Sequence, residues 1–455
     1  MRKFASLPIL AAPILGALLL PLSAQHVGAQ PAPSPRAPAP GQPGEPHAVT
    51  QLRSLLGPDV VLRFQSATAT DVSGGASLMG VSLRRGMQVI NIAEARLEGL
   101  RNDGIARLSL RSVAIGGGAF PLTLDRLDLE GLTVQRPATG GPPSPEQVSA
   151  DLMRVEGWRS GGTSPVNIGS ILVENFGGGR AGQVNVTALE VRAPDLGVAD
   201  RLTVARIAVA GVDTAEMLSA VMAQRPPRTS DGRASIDIEG VEVSQGGNAV
   251  ARLSAFTLRG EVAPPRPRTG SLVIRGLEVL PVPPMAEWMQ RFGYDRLRAE
   301  ARVNATHDIA TRQFNLQEFG IELRGIAELH LAMRLDGVDE DMTPAQRERA
   351  RLISAVLRYG DQSLFERWVR SQATQERITE QALRQRLSQQ AAVMLNGPTL
   401  ASAREAAQRF IAGRATVLEL AANPAGPLSF SMITAKPQTS LAGWQRMFGL
   451  TLTAR

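Results

Sequence analysis

The chain contains no cysteine. That excludes disulfides, thiolate metal sites, a nucleophilic thiol and the lipid-modified cysteine of a bacterial lipoprotein. Lysine is nearly absent, at Lys3 and Lys436 only, so the basic character is carried by arginine, a usage that fits a GC-rich genome. Aromatic residues make up only 4 % of the chain, too few to supply base-stacking platforms, and nucleic acid is excluded as a partner. After the first 24 residues no apolar run approaches the roughly 20 residues that a spanning helix needs. The sequence therefore predicts at most peripheral membrane contact.

The beginning of the chain has the order of a secretory signal: Arg2 and Lys3, an apolar segment from Leu7 to Leu22, then small residues at Ser23 and Ala24 and again at Gly28 and Ala29. Residues 1–24 are read as that signal, with cleavage after Ala24 or alternatively after Ala29. Pro8, Pro13 and Pro21 interrupt the apolar segment and argue against an uncleaved inner-membrane anchor, which is the alternative. Loss of Arg2 and Lys3 lowers the formal net charge from +7 to +5. The mature protein is expected to be exported, to the periplasm. Residues 25–50 follow as a proline-rich tether, in which QPAPSPRAPAPGQPGEPH can neither pack a core nor donate a regular ladder of hydrogen bonds.

Alternating apolar and polar residues dominate from about Val60 to Asp336, as in ARLSLRSVAI (Ala106 to Ile115) and IAELHLAMRL (Ile326 to Leu335). Such alternation predicts strands with one wet face. Helical patterns interrupt it at Ser144 to Met153, Thr214 to Gln224 and Pro284 to Phe292, opened by Ser144, Thr214 and Pro284 as start residues. Their spacing of about 70 residues suggests a repeated unit of one helix and three strands. The expected fold is α+β and predominantly β. A curved antiparallel sheet spans residues 51–338, and residues 339–455 form a helical subdomain whose last strands rejoin it.

Within that last part, MTPAQRERAR (Met342 to Arg351) is expected to be helical, then LISAVLRYG (Leu352 to Gly360) a strand. Helices are expected at Ser363 to Gln372, Glu376 to Leu395 and Thr399 to Gly413, and strands at Thr416 to Ala422 and Leu428 to Ile433. On the middle helix Ile378, Ala382, Leu383, Leu387 and Ala391 fall on one face. MAEWMQRFG and LAGWQRMFG each place Trp and Phe one helical turn apart before a stop glycine, which pairs Trp288 with Phe292 and Trp444 with Phe448 as core anchors.

Catalytic chemistry finds little support. Of the four histidines, His26 and His47 fall in the signal and tether, and His307 and His330 cannot make a three-histidine metal site. His330 reads as a solvent-facing strand residue and His307 as a turn residue. Glycine clusters at Ile115 to Phe120, Thr139 to Pro145 and Phe176 to Arg180 lack the residues of a phosphate loop and read as hairpin turns. Asp128 with Glu130, and Asp237 with Glu239, share the exposed face of their strands. The acidic stretch Asp336 to Met342 lacks calcium-loop spacing. No catalytic, metal or cofactor residue is assigned.

The phrase LDLEGLTV (Leu127 to Val134) returns as IDIEGVEV (Ile236 to Val243) and LVIRGLEV (Leu272 to Val279). Apolar residues alternate before and after the glycine, but out of phase, which predicts a β-bulge with an extra residue at Gly131, Gly240 and Gly276. This strand-rich body resembles uncharacterised proteobacterial exported proteins and, more loosely, the AsmA-like envelope proteins. That resemblance implies sheets that curl into apolar grooves handling lipid. The chain departs from the AsmA-like pattern in lacking a membrane anchor and in placing short helices between strands, and no functional residue carries over. The expected function is a non-enzymatic envelope protein binding an apolar or lipid-like molecule. A scaffold that holds envelope proteins through sheet edges and the arginine-rich helices from Arg347 to Arg386 is the alternative, and a hydrolase with dispersed carboxylates is a third reading.

Overall fold

The computed structural model of the protein describes residues 45–57, 59–70, 74–117, 121–135, 143–192, 199–225, 228, 231–283, 285–339, 342–343, 346, 349–435 and 440–455. The expected signal, and the tether up to Gly44, lie outside them. The fold is predominantly β, with 54 % strand against 22 % helix. Two compact units divide the chain, Met1–Ser230 and Asp231–Arg455.

The N-terminal unit opens with helix α1 (His47–Leu56), so helical structure starts within the last four residues of the expected tether. Ten strands follow: β1 (Val61–Arg63), β2 (Ser66–Ala69), β3 (Ala76–Arg85), β4 (Gln88–Arg101), β5 (Gly104–Gly116), β6 (Leu122–Val134), β7 (Val148–Ser160), β8 (Val166–Phe176), β9 (Gly182–Arg192) and β10 (Arg201–Val212). From β3 to β10 each strand pairs antiparallel with the next, while β1 and β2 share the free side of β3. Helix α2 (Thr214–Met222) then packs on β9.

Every long strand here repeats the phrase seen in the sequence. In β6 the core positions are Leu122 and Leu124, then Leu127 and Leu129, then Leu132 and Val134, so two non-core residues in succession separate each apolar pair. The same spacing gives Val148 and Ala150, Met153 and Val155, then Trp158 in β7. These phase changes fall at two levels across the sheet, and every second strand crosses each level through a left-handed residue. One level uses Gly99, Gly131, Asn175 and Gly211 on β4, β6, β8 and β10; the other uses Gly80, Ser112, Gly157 and Ala188 on β3, β5, β7 and β9. The strands between them change phase at the same level, so the register continues unbroken, as from Glu130↔Arg107 to Leu132↔Ile105, except at Gly211, where it shifts against β9.

The expected bulges are corrected accordingly. Gly131, Gly240 and Gly276 all take positive φ, at 65°, 63° and 61°. At Gly131 and Gly240 no register shift occurs, because the partner strand carries a matching extra residue. Only at Gly276 does the ladder shift, against the following strand. Glycine is required for a second reason. A Cβ on Gly157 would lie 1.9 Å from Asp125 Oδ2, and one on Gly131 would lie 2.2 Å from Asp151 Oδ2. Each aspartate lies across its glycine toward an arginine, Asp125 to Arg159 and Asp151 to Arg180.

The C-terminal unit continues with β11 (Gly232–Gln245), β12 (Asn248–Val262), β13 (Arg268–Val279), helix α3 (Ala286–Phe292), β14 (Leu297–Asp308), β15 (Gln313–Leu323), β16 (Ala327–Asp336) and β17 (Arg351–Asp361). Three helices intervene, α4 (Leu364–Glu376), α5 (Glu380–Met394) and α6 (Ala401–Ile411), before β18 (Val417–Ala422), β19 (Leu428–Ser429), α7 (Phe430–Ala435), α8 (Leu441–Phe448) and β20 (Leu450–Ala454). Consecutive strands from β11 to β18 pair antiparallel, β19 joins β17, and β20 joins β18. Among the described residues neither unit closes into a barrel.

Several local expectations are overturned. Ser144 to Met153 is not a helix: Pro145–Gln147 makes one 3-10 turn, its start signal spent on the Ser144 N–H donated to Gln147 Oε1, and buried Val148 and Ala150 already belong to β7. Four strands therefore separate that turn from α2 and three separate α2 from α3, so the helix-plus-three-strand repeat is absent, and the repeating element is the strand phrase. Asp213, not Thr214, caps α2, accepting from the N–H groups of Ala215 and Glu216. Leu428 to Ile433 is a strand only over its first two residues and then turns into α7. Pro284 and most of residues 344–348 lie outside the described residues. On α5, Leu383 is buried, whereas Ile378 precedes the helix and Ala382 is exposed.

Gly99→Ala places a methyl 2.7 Å from Ala106 Cβ at a φ of 61°, and is expected to cost about 2 kcal/mol or more in urea unfolding, whereas Gly270→Ala meets nothing within 4 Å and should stay within about 0.5 kcal/mol. Ala188→Gly, at φ 53°, should be neutral or stabilising by up to about 1 kcal/mol, against the usual loss for glycine in a strand. On α2, Glu216 accepts both guanidinium nitrogens of Arg225, at 2.6 and 2.8 Å, and the Arg228 N–H, which lowers its carboxyl from 4.5 to about 2. A depressed carboxyl stabilises the fold above its unfolded value. The stability advantage of wild type over Glu216→Gln should therefore hold above about pH 4.5 and fade as the pH approaches 2, as read by thermal unfolding across that range.

Candidate functional site

The two units differ in what happens to their apolar faces. In the N-terminal unit the row Leu78, Ala95, Leu110, Leu127, Val155, Ile171, Val186 and Ile207 crosses eight paired strands. All but Leu110 and Ile207 are buried, Val155 completely.

The C-terminal unit carries a comparable row across nine strands: Ile236, Leu258, Leu272, Val303, Phe319, Leu331, Leu357, Leu420 and Leu452. None of the nine is buried, and Leu258 remains 38 % exposed. The row beside it, Ile238, Phe256, Ile274, Ala301, Ile321 and Leu329, is likewise only half-buried. At strand spacings of about 4.8 Å this face is a continuous apolar strip roughly 40 Å across. Strips of that kind mark binding sites more often than free surface.

Helices close one end of it. Met289, Phe292, Tyr294, Leu297, Ile326 and Ala327 form a buried cluster with Val279, Leu323 and Tyr359, at the ends of β13 to β17. Trp288 makes an edge contact with Phe292 at 5.2 Å and stacks on Tyr294 at 5.6 Å, so the expected core anchor is present. Trp444 and Phe448 stack likewise, at 5.6 Å, and both helices end on left-handed glycines, Gly293 and Gly449. Arg367 ties α4 to the end of α3: its Nη1 donates to the carbonyls of Phe292 and Gly293, with the guanidinium 4.3 Å over the Tyr294 ring. Tyr359 donates to Asp361 Oδ1 at 2.7 Å, and the same oxygen accepts the Phe365 N–H. Burial and the Asp361 carboxylate push the Tyr359 phenol well above its ordinary value. Toward β18 and β20, α6 covers Leu418 and Leu452 through Ala406. The strip from β11 to β16 is what these helices leave open.

The opposite face of the same strands is polar. His330 faces Arg358, which faces Glu419. An open cleft of about 660 Å³ lies here, lined also by Asn304, Gln317, Glu318 and Glu328. It forms because β15 carries an extra residue at Gln317 and Glu318, which shifts the register against both neighbours. Gly320 leaves room for the imidazole: a Cβ there would lie 3.1 Å from His330 Nδ1. Glu318 accepts from Asn304 Nδ2 at 2.9 Å, and the Glu328 carboxylate stands 3.9 Å from His330 Nε2, beyond hydrogen-bonding distance. No serine, threonine or lysine is among the described residues lining the cleft, whose ionisable groups are Glu318, Glu328, His330, Arg358 and Glu419.

The remaining sequence candidates disperse. His330 is solvent-facing, as expected. His307 is not in a turn: it lies in β14, with Nε2 2.8 Å from the Val338 carbonyl, and Asp308 makes the turn by accepting the Thr311 N–H. Asp128 accepts from Ser109 across the strand pair and pairs with Arg126 of its own strand, and Asp237 accepts from Thr257 across its strand pair, so these acids serve contacts within the sheet. No group of three metal-ligating side chains occurs among the described residues. No described helix is long and apolar enough to cross a membrane. The apolar strip itself was foreseen only as a sheet face; alternation marks which residues share a face and carries no signal for whether anything covers it.

A protein family described as "Uncharacterized protein" matches residues 320–455, from the middle of β15 to the end of the chain. No curated protein matches.

Proposed function

We propose that this is an exported, periplasmic envelope protein that binds an apolar or lipid-like molecule on the open apolar face of β11 to β16, without catalysing a reaction. The half-exposed row from Ile236 to Leu357 carries this reading, since the equivalent row of the N-terminal unit is buried. Half-buried leucines, isoleucines and phenylalanines forgo only part of the about 1.5–3 kcal/mol that full burial of an exposed side chain supplies, and a bound apolar molecule would recover that part. The signal-like order of residues 1–24 supports export, and the looser likeness to AsmA-like envelope proteins supports lipid as the ligand class.

Extraction of natively purified protein, followed by mass spectrometry, is expected to yield a stoichiometric apolar molecule. Leu331→Arg should lower its recovery at least tenfold while changing unfolding stability by less than about 1 kcal/mol, because Leu331 is only half-buried. Repeated recovery of empty protein, or unchanged recovery in the variant, would overturn the reading.

A further inference from the structure

The α5–α6 hairpin ends in a surface that neither the sheet nor its ligand face uses. Helix α5 is anchored at its start: Leu383 is buried with Val369 and Ala373 of α4, and Leu387 packs beside them. Its far end is free of that packing. Val393 is 76 % exposed and Met394 68 %, and they adjoin each other at the tip. From Leu387 to Ala403 the chain carries no charged residue. Entry of this tip into a medium of low dielectric would desolvate no ion.

Around it the charge is one-sided. Between Gln362 and Thr416 eight arginines oppose four glutamates, so this insertion holds most of the mature chain's positive excess. Three of the glutamates are already engaged within the bundle, Glu366 by Arg384, Glu376 by Arg386 and Glu380 by Arg370. Arg404 stands closest to the tip, its Nη1 donating to the Leu395 carbonyl at 3.4 Å, and has no carboxylate partner among the described residues. An uncharged apolar point backed by excess arginine matches the two layers of an anionic bilayer surface, acyl chains below and phosphates above.

We infer that the α5–α6 tip docks the protein peripherally on an anionic membrane surface, with Val393 and Met394 entering the acyl boundary and arginine meeting headgroup phosphate. This surface is separate from the sheet face and does not depend on that face holding a ligand.

The test is flotation of the full mature chain with vesicles of phosphatidylcholine alone and with about 30 mol % phosphatidylglycerol. Binding is expected to the anionic vesicles, to fall with rising salt, and to weaken about tenfold or more in Val393→Ser/Met394→Ser. Met87→Ser removes an apolar side chain that is 84 % exposed in the β3–β4 turn, and should leave binding unchanged. Circular dichroism of each variant reports whether it folds, and recovery of the sheet ligand should be unaffected by the tip substitutions. Absence of binding to anionic vesicles, or binding that the tip substitutions leave intact, would overturn the inference. So would a photocrosslinker at position 394 that, in intact cells, captures protein and no lipid.

Discussion

An amphipathic strand that changes the phase of its apolar residues keeps its ladder in register only if its neighbour changes phase opposite it. Without that match the strand carries an extra residue and its register shifts, as at Gly276 and in β15. The N-terminal unit meets this constraint with two levels of matched irregularities, one running from β3 to β10 and the other from β4 to β8, with an unmatched Gly211 on β10, and the left-handed residue alternates between strands at each level. Register is therefore kept while the ladder is locally kinked. At Gly157 and Gly131 the missing side chain gives room for Asp125 and Asp151 to reach arginines, and exposed pairs of that sort contribute about 1 kcal/mol or less. At these two positions glycine is favoured by φ and required by the side chain lying across it, and the ion pair is a secondary consequence.

Beyond β13 the device lapses. Gly276 shifts register against β14, and β14 and β16 alternate without interruption. The face they present is as apolar as that of the N-terminal unit, but helices cover only its end and its β18 to β20 side. The aromatic cluster of Trp288, Phe292, Tyr294 and Tyr359 is a firm boundary, held by Arg367 and Asp361.

Much of this architecture was legible in the sequence, and the failures have physical causes. Period-two alternation located nearly every strand, and the helical insertion between β17 and β18 followed from its 3.6-residue pattern. The break in phase at the left-handed glycines was legible because Leu127 and Leu132 cannot share a face across a regular strand, although taken alone it suggests a bulge in one strand. Their matching across the sheet was not, since pairing partners lie in other segments and Ser112, Asn175 and Ala188 show that the position does not demand glycine. Ser144 to Met153 misled because a helix start signal binds only its own first turn, after which Val148 and Ala150 answered to the neighbouring strands. The candidate site was the least legible part: Leu127 and Ile236 stand in the same phrase, one buried and one half-exposed, and alternation alone carries no signal for that difference.

Position in the phrase also bears on how the two faces of β11 to β16 divide their roles. Cross-strand arginine–carboxylate pairs such as Arg324 with Glu300 and Arg296 with Glu278 occupy the solvent side, so the sheet's hydration and charge are handled there. The cleft around His330 belongs to that side and arises from the extra residue of β15, a local irregularity with no matching neighbour. The same irregularity moves Phe319 into line with Val303 and Leu331, extending the apolar row without a break. One unmatched residue therefore opens the polar face and completes the apolar one, so removing it would fill the cleft and misalign the strip together.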